Sequence, residues 1–499
     1  MSDNLEDSVI NLKLLIDEAK KKVVFAEAGK DFVDILLSFS PMGTIVRLLG
    51  MHQTVAIGCF NNIYGSVASM GMNNFTTEAS KQMLLYPGSL NQEKCQKIKL
   101  KIDDSEATKC YMCPMFVRSG QCSKRYSNFN TSRCSCGNLM NEVIQFQGEG
   151  GQGNGVEGGV FVRSAHTSFI ITDDLKVEVN SVGSTFNVLK DLGYADCDKL
   201  VEMILDVNLQ EVATLLESLF TSDTPLTDTF LKKKSSYGME RIHQTQSPAY
   251  GVDGEESKAD QMITLNAYVR KKEGNIIYVE CGNDFVDLLF TFLAMPLESV
   301  WGISGNGIIL GCIGNLCKSF KELGVDSGGE ASGFKCVLPH YYKCQKQLLD
   351  VVTTHKPPTY YHYVSFSVNH FREYSLSENS GKRLVYDWDE LVRVTSIDPK
   401  SDSAESSGFV KRGMRFMVTD ELIIAPSNST STIGMLKDKH TRLDEVEVRV
   451  ISMKKEEVIR LLAASLVTSS ALSTGLLGME PASTSTPGSR FRKKPKIET

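Results

Sequence analysis

The sequence has little of what would announce a chemistry. Its eight histidines include no HExxH pair, which excludes the helical zinc-protease arrangement. No GxSxG stretch offers a serine nucleophile at a strand-to-helix elbow. No apolar run approaches the roughly 18 residues of a membrane span. The longest, LLFTFLAMPL at 288–297, is bounded by Asp287 and Glu298. The N-terminal MSDNLEDSVI is acidic and lacks the charged-then-apolar layout of a secretory signal. These absences predict a soluble protein of the cytoplasm or nucleus that does not engage a membrane. Positive charge is also short, with 54 Lys and Arg against 60 Asp and Glu. The net charge of −6 argues against a general nucleic-acid or membrane-surface binder, although it leaves room for a local basic patch.

What is present first suggests architecture. Hydrophobic residues make up 41% of the chain and charged residues 23%, so a core can form. A chain of 499 residues suits about two to four domains. The opening stretch VVFAEAGKDFVDILLSF (23–39) returns as IIYVECGNDFVDLLFTF (276–292). GCFNNIYGSVASMG (58–71) returns as GCIGNLCKSFKELG (311–324), and SFIITDDL (168–175) as RFMVTDEL (415–422). LQEVATLLESLFTS (209–222) matches KEEVIRLLAASLVT (455–468). Blocks recurring in one order at this separation read as a duplicated domain, because solenoid units run only about 20–50 residues.

Each copy opens with alternating apolar residues, such as Leu12, Leu14 and Ile16, then a turn and a second apolar run, which predicts a β-hairpin. A helix should follow, burying Phe32, Val33, Leu36 and Phe39. Asp31 and Asp284 fall where that helix begins, and Asp34 and Asp287 lie three residues on. The spacing predicts helix capping and a favourable meeting with the positive helix end. Glu27 and Glu280 have no role in that scheme. Later segments read as the strand SFIIT and the helices TFNVLKDL and LQEVATLLESLF. Hairpins and helices without regular βαβ alternation predict an α+β fold of two homologous tandem domains.

The repeated FAEAGKDFVD and YVECGNDFVD blocks, the CSCG element and the TDDL and TDEL segments together resemble a plant-specific family, domain-of-unknown-function family 674. The resemblance covers roughly residues 9–478. It implies a plant protein, often with two copies of the domain, and carries no known activity, substrate or catalytic residue.

Thirteen cysteines are unevenly placed, and Cys110, Cys113, Cys122, Cys134 and Cys136 crowd into KCYMCPMFVRSGQCSKRYSNFNTSRCSCGNLMNE (109–142). In a reducing compartment such a cluster predicts metal rather than disulfides. Four thiolates close a tetrahedral structural zinc site. Cys110-x2-Cys113 has the spacing of one ligand pair, and Cys134-x-Cys136-Gly137 could supply the other. Cys122 competes with Cys110, and the family resemblance favours Cys113 and Cys122 with the CSCG pair. The second copy offers only Cys336, Cys344 and His340 in the comparable region, so a metal there would be incomplete. The expected role is a zinc-ribbon-like staple for a loop, with no open coordination position for catalysis.

Other signals are weaker. GEGGQGNGVEGG (148–159) contains a formal GxGxxG, yet the residues after it look extended, so it reads as a linker and not a dinucleotide cradle. His355, His362 and His370 lie in one aromatic-rich piece and could form a trio, though isolated roles on a strand-rich segment fit as well. KCQKIKLKI (94–102) alternates lysines, as the wet face of a strand would. The terminal RFRKKPK reads as a solvated tail or a nuclear-import signal.

The expected organisation is a first repeat at 1–231, a linker at 232–260, a second repeat at 261–478 and a tail at 479–499. The leading expectation for function is a non-catalytic binding or scaffold protein with an unidentified protein partner. An enzyme with a site between the repeats would instead show shared polar residues meeting in a pocket. A nucleic-acid-associated zinc protein would show a continuous basic face near the cysteines; the overall charge disfavours it.

Overall fold

The computed structural model describes residues 9–38, 41–51, 56–100, 108–119, 122–146, 160–161, 168–232, 262–304, 311–323, 336–344, 347–366, 372–377, 390–401 and 408–478. The Gly-rich 148–159 segment, most of the expected linker, His370 and the basic tail lie outside them. The alternation in INLKLLID produces a strand, β1 (Ile10–Asp17), that turns at Lys21 into β2 (Lys22–Gly29). Ile10, Leu12, Leu14 and Ile16 share its buried face. Three short strands follow: β3 (Cys110–Met112), β4 (Arg125–Ser127) and β5 (Glu142–Phe146). The first half ends with β6 (Ser168–Thr172), β7 (Val177–Val179) and β8 (Leu200–Val207). The second half runs through β9 (Ile263–Arg270) and β10 (Ile276–Cys281), then the parallel pair β11 (Cys336–Leu338) and β12 (Val352–Thr354). It continues with β13 (Tyr360–Phe366), β14 (Arg372–Ser377), β15 (Glu390–Ser396), β16 (Phe416–Thr419), β17 (Ile424–Pro426) and β18 (Val446–Met453).

The fold is mixed α and β. One five-stranded sheet has the order β7-β6-β2-β1-β8, and the other repeats it as β17-β16-β10-β9-β18. β11 and β12 form a sheet of their own, and the other six strands close a barrel in the order β13-β14-β5-β3-β4-β15. Its two junctions between halves, β14 with β5 and β15 with β4, are both parallel. Exchanging first-half for second-half strands leaves that order unchanged. The cysteine segment is therefore no free-standing zinc-ribbon-like loop. Three strands of three to five residues have two open edges and too little face to bury. Closure with three strands from the other half removes the edges and supplies a core of Met112, Tyr126, Ile144, Tyr360, Leu376 and Val394.

The helices Lys30–Leu37 and Asn283–Ala294 follow the hairpins as expected. After one intervening helix, Met42–Met51 or Leu297–Ile303, each half has a helix that packs across the molecule. The N–H of Ile424 in β17 donates to Ser66 in the helix Phe60–Ser69 at 2.9 Å, and that of Val177 in β7 donates to Ser319 in Ile313–Glu322 at 2.9 Å. Asn62 and Asn315 donate reciprocally to the carbonyls of Glu421 and Asp174. Just before these helices, Gly58 and Gly311 take φ values of +47° and +48°. A Cβ at Gly58 would lie 2.1 Å from the Ser465 carbonyl, and one at Gly311 2.3 Å from that of Leu219. The repeated Gly-Cys pair thus marks close backbone approach between halves. The largest hydrophobic core spans both halves, with Phe60 against Phe292 and Phe75 against Phe290.

The capping role expected of the repeated aspartates is corrected. Gly29 and Gly282 occupy the N-cap positions and no side chain caps either helix, although Asp31 and Asp284 do lie in the first turns. Asp34 and Asp287 point inward and hold distant backbone. Asp34 accepts from the N–H groups of Val160 and Phe161 at 2.6 and 2.9 Å. Asp287 accepts from Phe409 and Val410 at 2.8 and 3.1 Å, both at Oδ1. The TDDL and TDEL aspartates are matched too. Asp173 accepts from the N–H and hydroxyl of Thr227, whose oxygen takes the N–H of Val23. Asp420 does the same with Ser473, whose oxygen takes the N–H of Ile276. Glu27 accepts from Ser168 and Asn180, tying β2 to β6 and to the loop after β7.

Lys97 and Lys99 alternate with buried Ile98 and Leu100 but form no strand, because residues 97–100 turn and bend without a pairing partner. Among the described residues no single helix is long and apolar enough to cross a membrane. The apolar run at 288–297 belongs to the core, with Leu288 through Leu293 all buried.

Candidate metal centre

Four cysteines converge at one end of the barrel. Cys113 lies between β3 and the helix Pro114–Ser119, and its carbonyl accepts from Phe116 and Val117. Proline at the first helical position has no N–H of its own, and the amides that follow it are directed back at Cys113. The Met115 and Phe116 N–H groups bond the Cys113 sulfur. Cys134 and Cys136 lie on a tight turn closed by Gly137 N–H donating to the Cys134 carbonyl at 2.8 Å. Gly137 has φ +87°, which only glycine adopts without strain. Arg133 donates to the Gly137 carbonyl at 3.0 Å and braces the turn. Cys122 enters from the segment just before β4.

The four sulfurs of Cys113, Cys122, Cys134 and Cys136 all lie within 4.8 Å of one another. Cys122 and Cys134 are 3.2 Å apart at sulfur, and Cys113 and Cys136 are 3.6 Å apart. Tetrahedral sulfur ligands about 2.3 Å from a central ion would be about 3.8 Å from each other. The donor set therefore fits one tetrahedral ion. It contains no imidazole or carboxylate, and with four protein ligands it keeps no open position.

Cys110 stands outside this group. Strand alternation turns it with Met112 into the barrel core, where burial pushes its thiol up to about 12, helped by Glu93. The tight Cys110-x2-Cys113 spacing is thus split by the end of β3. Burial also raises Cys113, and burial with hydrogen bonding to Cys134 pushes Cys122 up to about 12. At Cys134 burial acts upward, yet hydrogen bonds from Ser123, from the Cys136 N–H and from neighbouring thiols bring it down to about 6. Ser123 Oγ lies 3.0 Å from that sulfur.

The other candidates separate. His355 is exposed, whereas His362 is buried in the barrel against Phe116 and lowered to about 4 by that burial. Cys336 and Cys344 are buried thiols pushed upward by their surroundings. Sequence reasoning had no signal for the residues that complete the barrel around the cysteines. Tyr360, Val392 and Val394 arrive from more than 200 positions away through strand pairing.

No curated protein and no solved structure matches this chain. One family model does, over residues 6–456, and by that match the chain belongs to the family described as protein of unknown function (DUF674).

Proposed function

We propose that the protein is a non-catalytic binding scaffold made of two homologous tandem units, with a structural zinc ion held by Cys113, Cys122, Cys134 and Cys136. The convergence of four sulfurs with no other donor type carries the reading. Soft thiolates in a tetrahedral set select zinc or iron–sulfur chemistry, and a site without an open position suits a structural ion. Zinc there would pin the turn at Gly137 and the start of the helix Pro114–Ser119 to the barrel end.

The fate of the repeated polar residues supports the non-catalytic part. Asp34 and Asp287, Asp173 and Asp420, Asn62 and Asn315, and Ser66 and Ser319 each hold backbone in matching ways. The same correspondences, with the two sheets of equal order, support duplication of one unit. Elemental analysis of protein purified under reducing conditions tests the metal. One equivalent of zinc is expected, retained in Cys110→Ser and lost in Cys122→Ser. A substoichiometric content with unmodified thiols, or a visible iron–thiolate spectrum, would reject zinc.

A further inference from the structure

We propose that the barrel face beside the four cysteines binds single-stranded nucleic acid. The inference goes beyond the metal reading, since it concerns what the ordered segment presents to solvent.

Residues 108–141 contain five Lys and Arg and no Asp or Glu, in a chain whose acidic residues outnumber its basic ones. The side chains of Arg118, Lys124 and Arg125 are exposed, as is that of Arg393 on β15. Among the described residues no carboxylate makes an ion pair with any of these four. Around the two five-stranded sheets the basic residues behave differently. Lys13 pairs with Glu202, Lys20 with Asp17, Arg270 with Glu273, Arg449 with Glu447 and Arg460 with Glu457. Those five cations sit in ion pairs, whereas the four on the barrel, which also carries Glu142 on β5, have none among the described residues.

Strand register makes these charges neighbours. β4 and β15 run parallel with Arg125 opposite Thr395, so Arg393 lies two residues back on the same face. Val392 and Val394 face the barrel core, so alternation turns Arg393 outward. Tyr361 on β13 is its cross-strand partner, flanked by the inward Tyr360 and His362, and is only half-buried. A guanidinium beside a tyrosine ring provides a phosphate contact next to a stacking platform. Lys124 and Arg125 directly follow Cys122 and Ser123, and Arg118 lies in the last turn of the helix that begins after Cys113. The cysteine cluster thereby fixes where the cations stand. The aromatic residue distinguishes nucleic acid from an acidic polypeptide, and a half-buried ring on an outer barrel face suits unpaired bases rather than a duplex.

The test uses the full-length protein and a fluorescein-labelled oligouridine of about 20 nucleotides, read by anisotropy at about 50 mM salt and above. Four phosphate contacts on a single strand predict a slope of log affinity against log salt near −3, at about −0.7 per contact. The triple variant Lys124→Ala, Arg125→Ala, Arg393→Ala should lose roughly tenfold or more in affinity and about two units of slope, with metal content unchanged. Tyr361→Ala should weaken binding roughly fivefold or more while leaving the slope in place. Lys271→Ala, Lys272→Ala, Lys437→Ala, an equal charge change in the β9–β10 turn and the helix Ser429–Asp438 beside the second sheet, should leave binding unaltered. Absence of binding by protein with its full metal complement would overturn the interface and leave the metal reading intact. Equal losses in the two triple variants would also overturn it. So would duplex binding as tight as single-strand binding, or displacement by polyglutamate at equal charge concentration.

Discussion

Replacing Asp287 tests whether the repeated aspartates are tethers. The carboxyl is 5% exposed and takes two backbone N–H groups, Phe409 and Val410, at Oδ1. Gly408 lies so close to Oδ2 that a Cβ there would be 1.6 Å away. Asp287→Ala leaves two buried donors without an acceptor, each costing about 1–3 kcal/mol, so a loss of about 2–6 kcal/mol is expected. Asp287→Asn keeps an acceptor for both N–H groups and should cost much less. Burial pushes the Asp287 carboxyl up to about 7, against the opposing pull of its two N–H bonds. The folded protein therefore holds this proton where the unfolded chain releases it near pH 4. Stability from the group is complete below pH 4 and falls as pH rises towards 7, by up to about 1.4 kcal/mol per unit. Urea midpoints of wild type and Asp287→Asn across pH 4–8 provide the assay, with hydrogen exchange at Phe409 and Val410 as a local probe. The wild type should lose ground to the asparagine variant as pH rises through that window, and both amides should exchange faster in the alanine variant. An alanine variant as stable as the asparagine one, with unchanged exchange at both amides, would refute the tether.

Three further outcomes are expected. Gly58→Ala and Gly311→Ala should each lower the melting temperature sharply, at a cost of roughly 3 kcal/mol or more, because both place a methyl group against backbone at positive φ. Ser473→Ala should cost about 1–3 kcal/mol by removing the hydroxyl between Ile276 and Asp420, with Thr227→Val giving a similar loss in the first half, read by thermal unfolding. Gly408→Ala should be at least as damaging as Asp287→Ala, since the added methyl would overlap the carboxylate, and the two losses should not add in the double variant, as urea midpoints will reveal.

Local patterns in the chain reached a fair part of this architecture. The hairpins, the helices after them, the strand SFIIT and the helix LQEVATLLESLF follow from periodicity that acts within a few residues. Clustering of the cysteines was visible for the same reason, because Cys122, Cys134 and Cys136 are close along the chain. The exclusion of Cys110 depends on where β3 ends, and a one-residue difference turns a side chain from the sulfur cluster to the core. The role of Asp34 was hidden because its donors, Val160 and Phe161, are over 120 residues away. Barrel closure was hidden for a similar reason: nothing local to β4 indicates that Thr395 will lie beside Arg125.

The reciprocal bracing of the halves has a consequence for synthesis. Cys59 donates to the carbonyl of Thr468, a partner 409 positions later in the chain. At about 5–20 residues per second, a ribosome makes the first surface wait about 20–80 s for its cover. Cys59, fully buried in the finished protein, is without this partner throughout that interval. The emerging first half is therefore expected to engage chaperones until the C-terminal helices arrive.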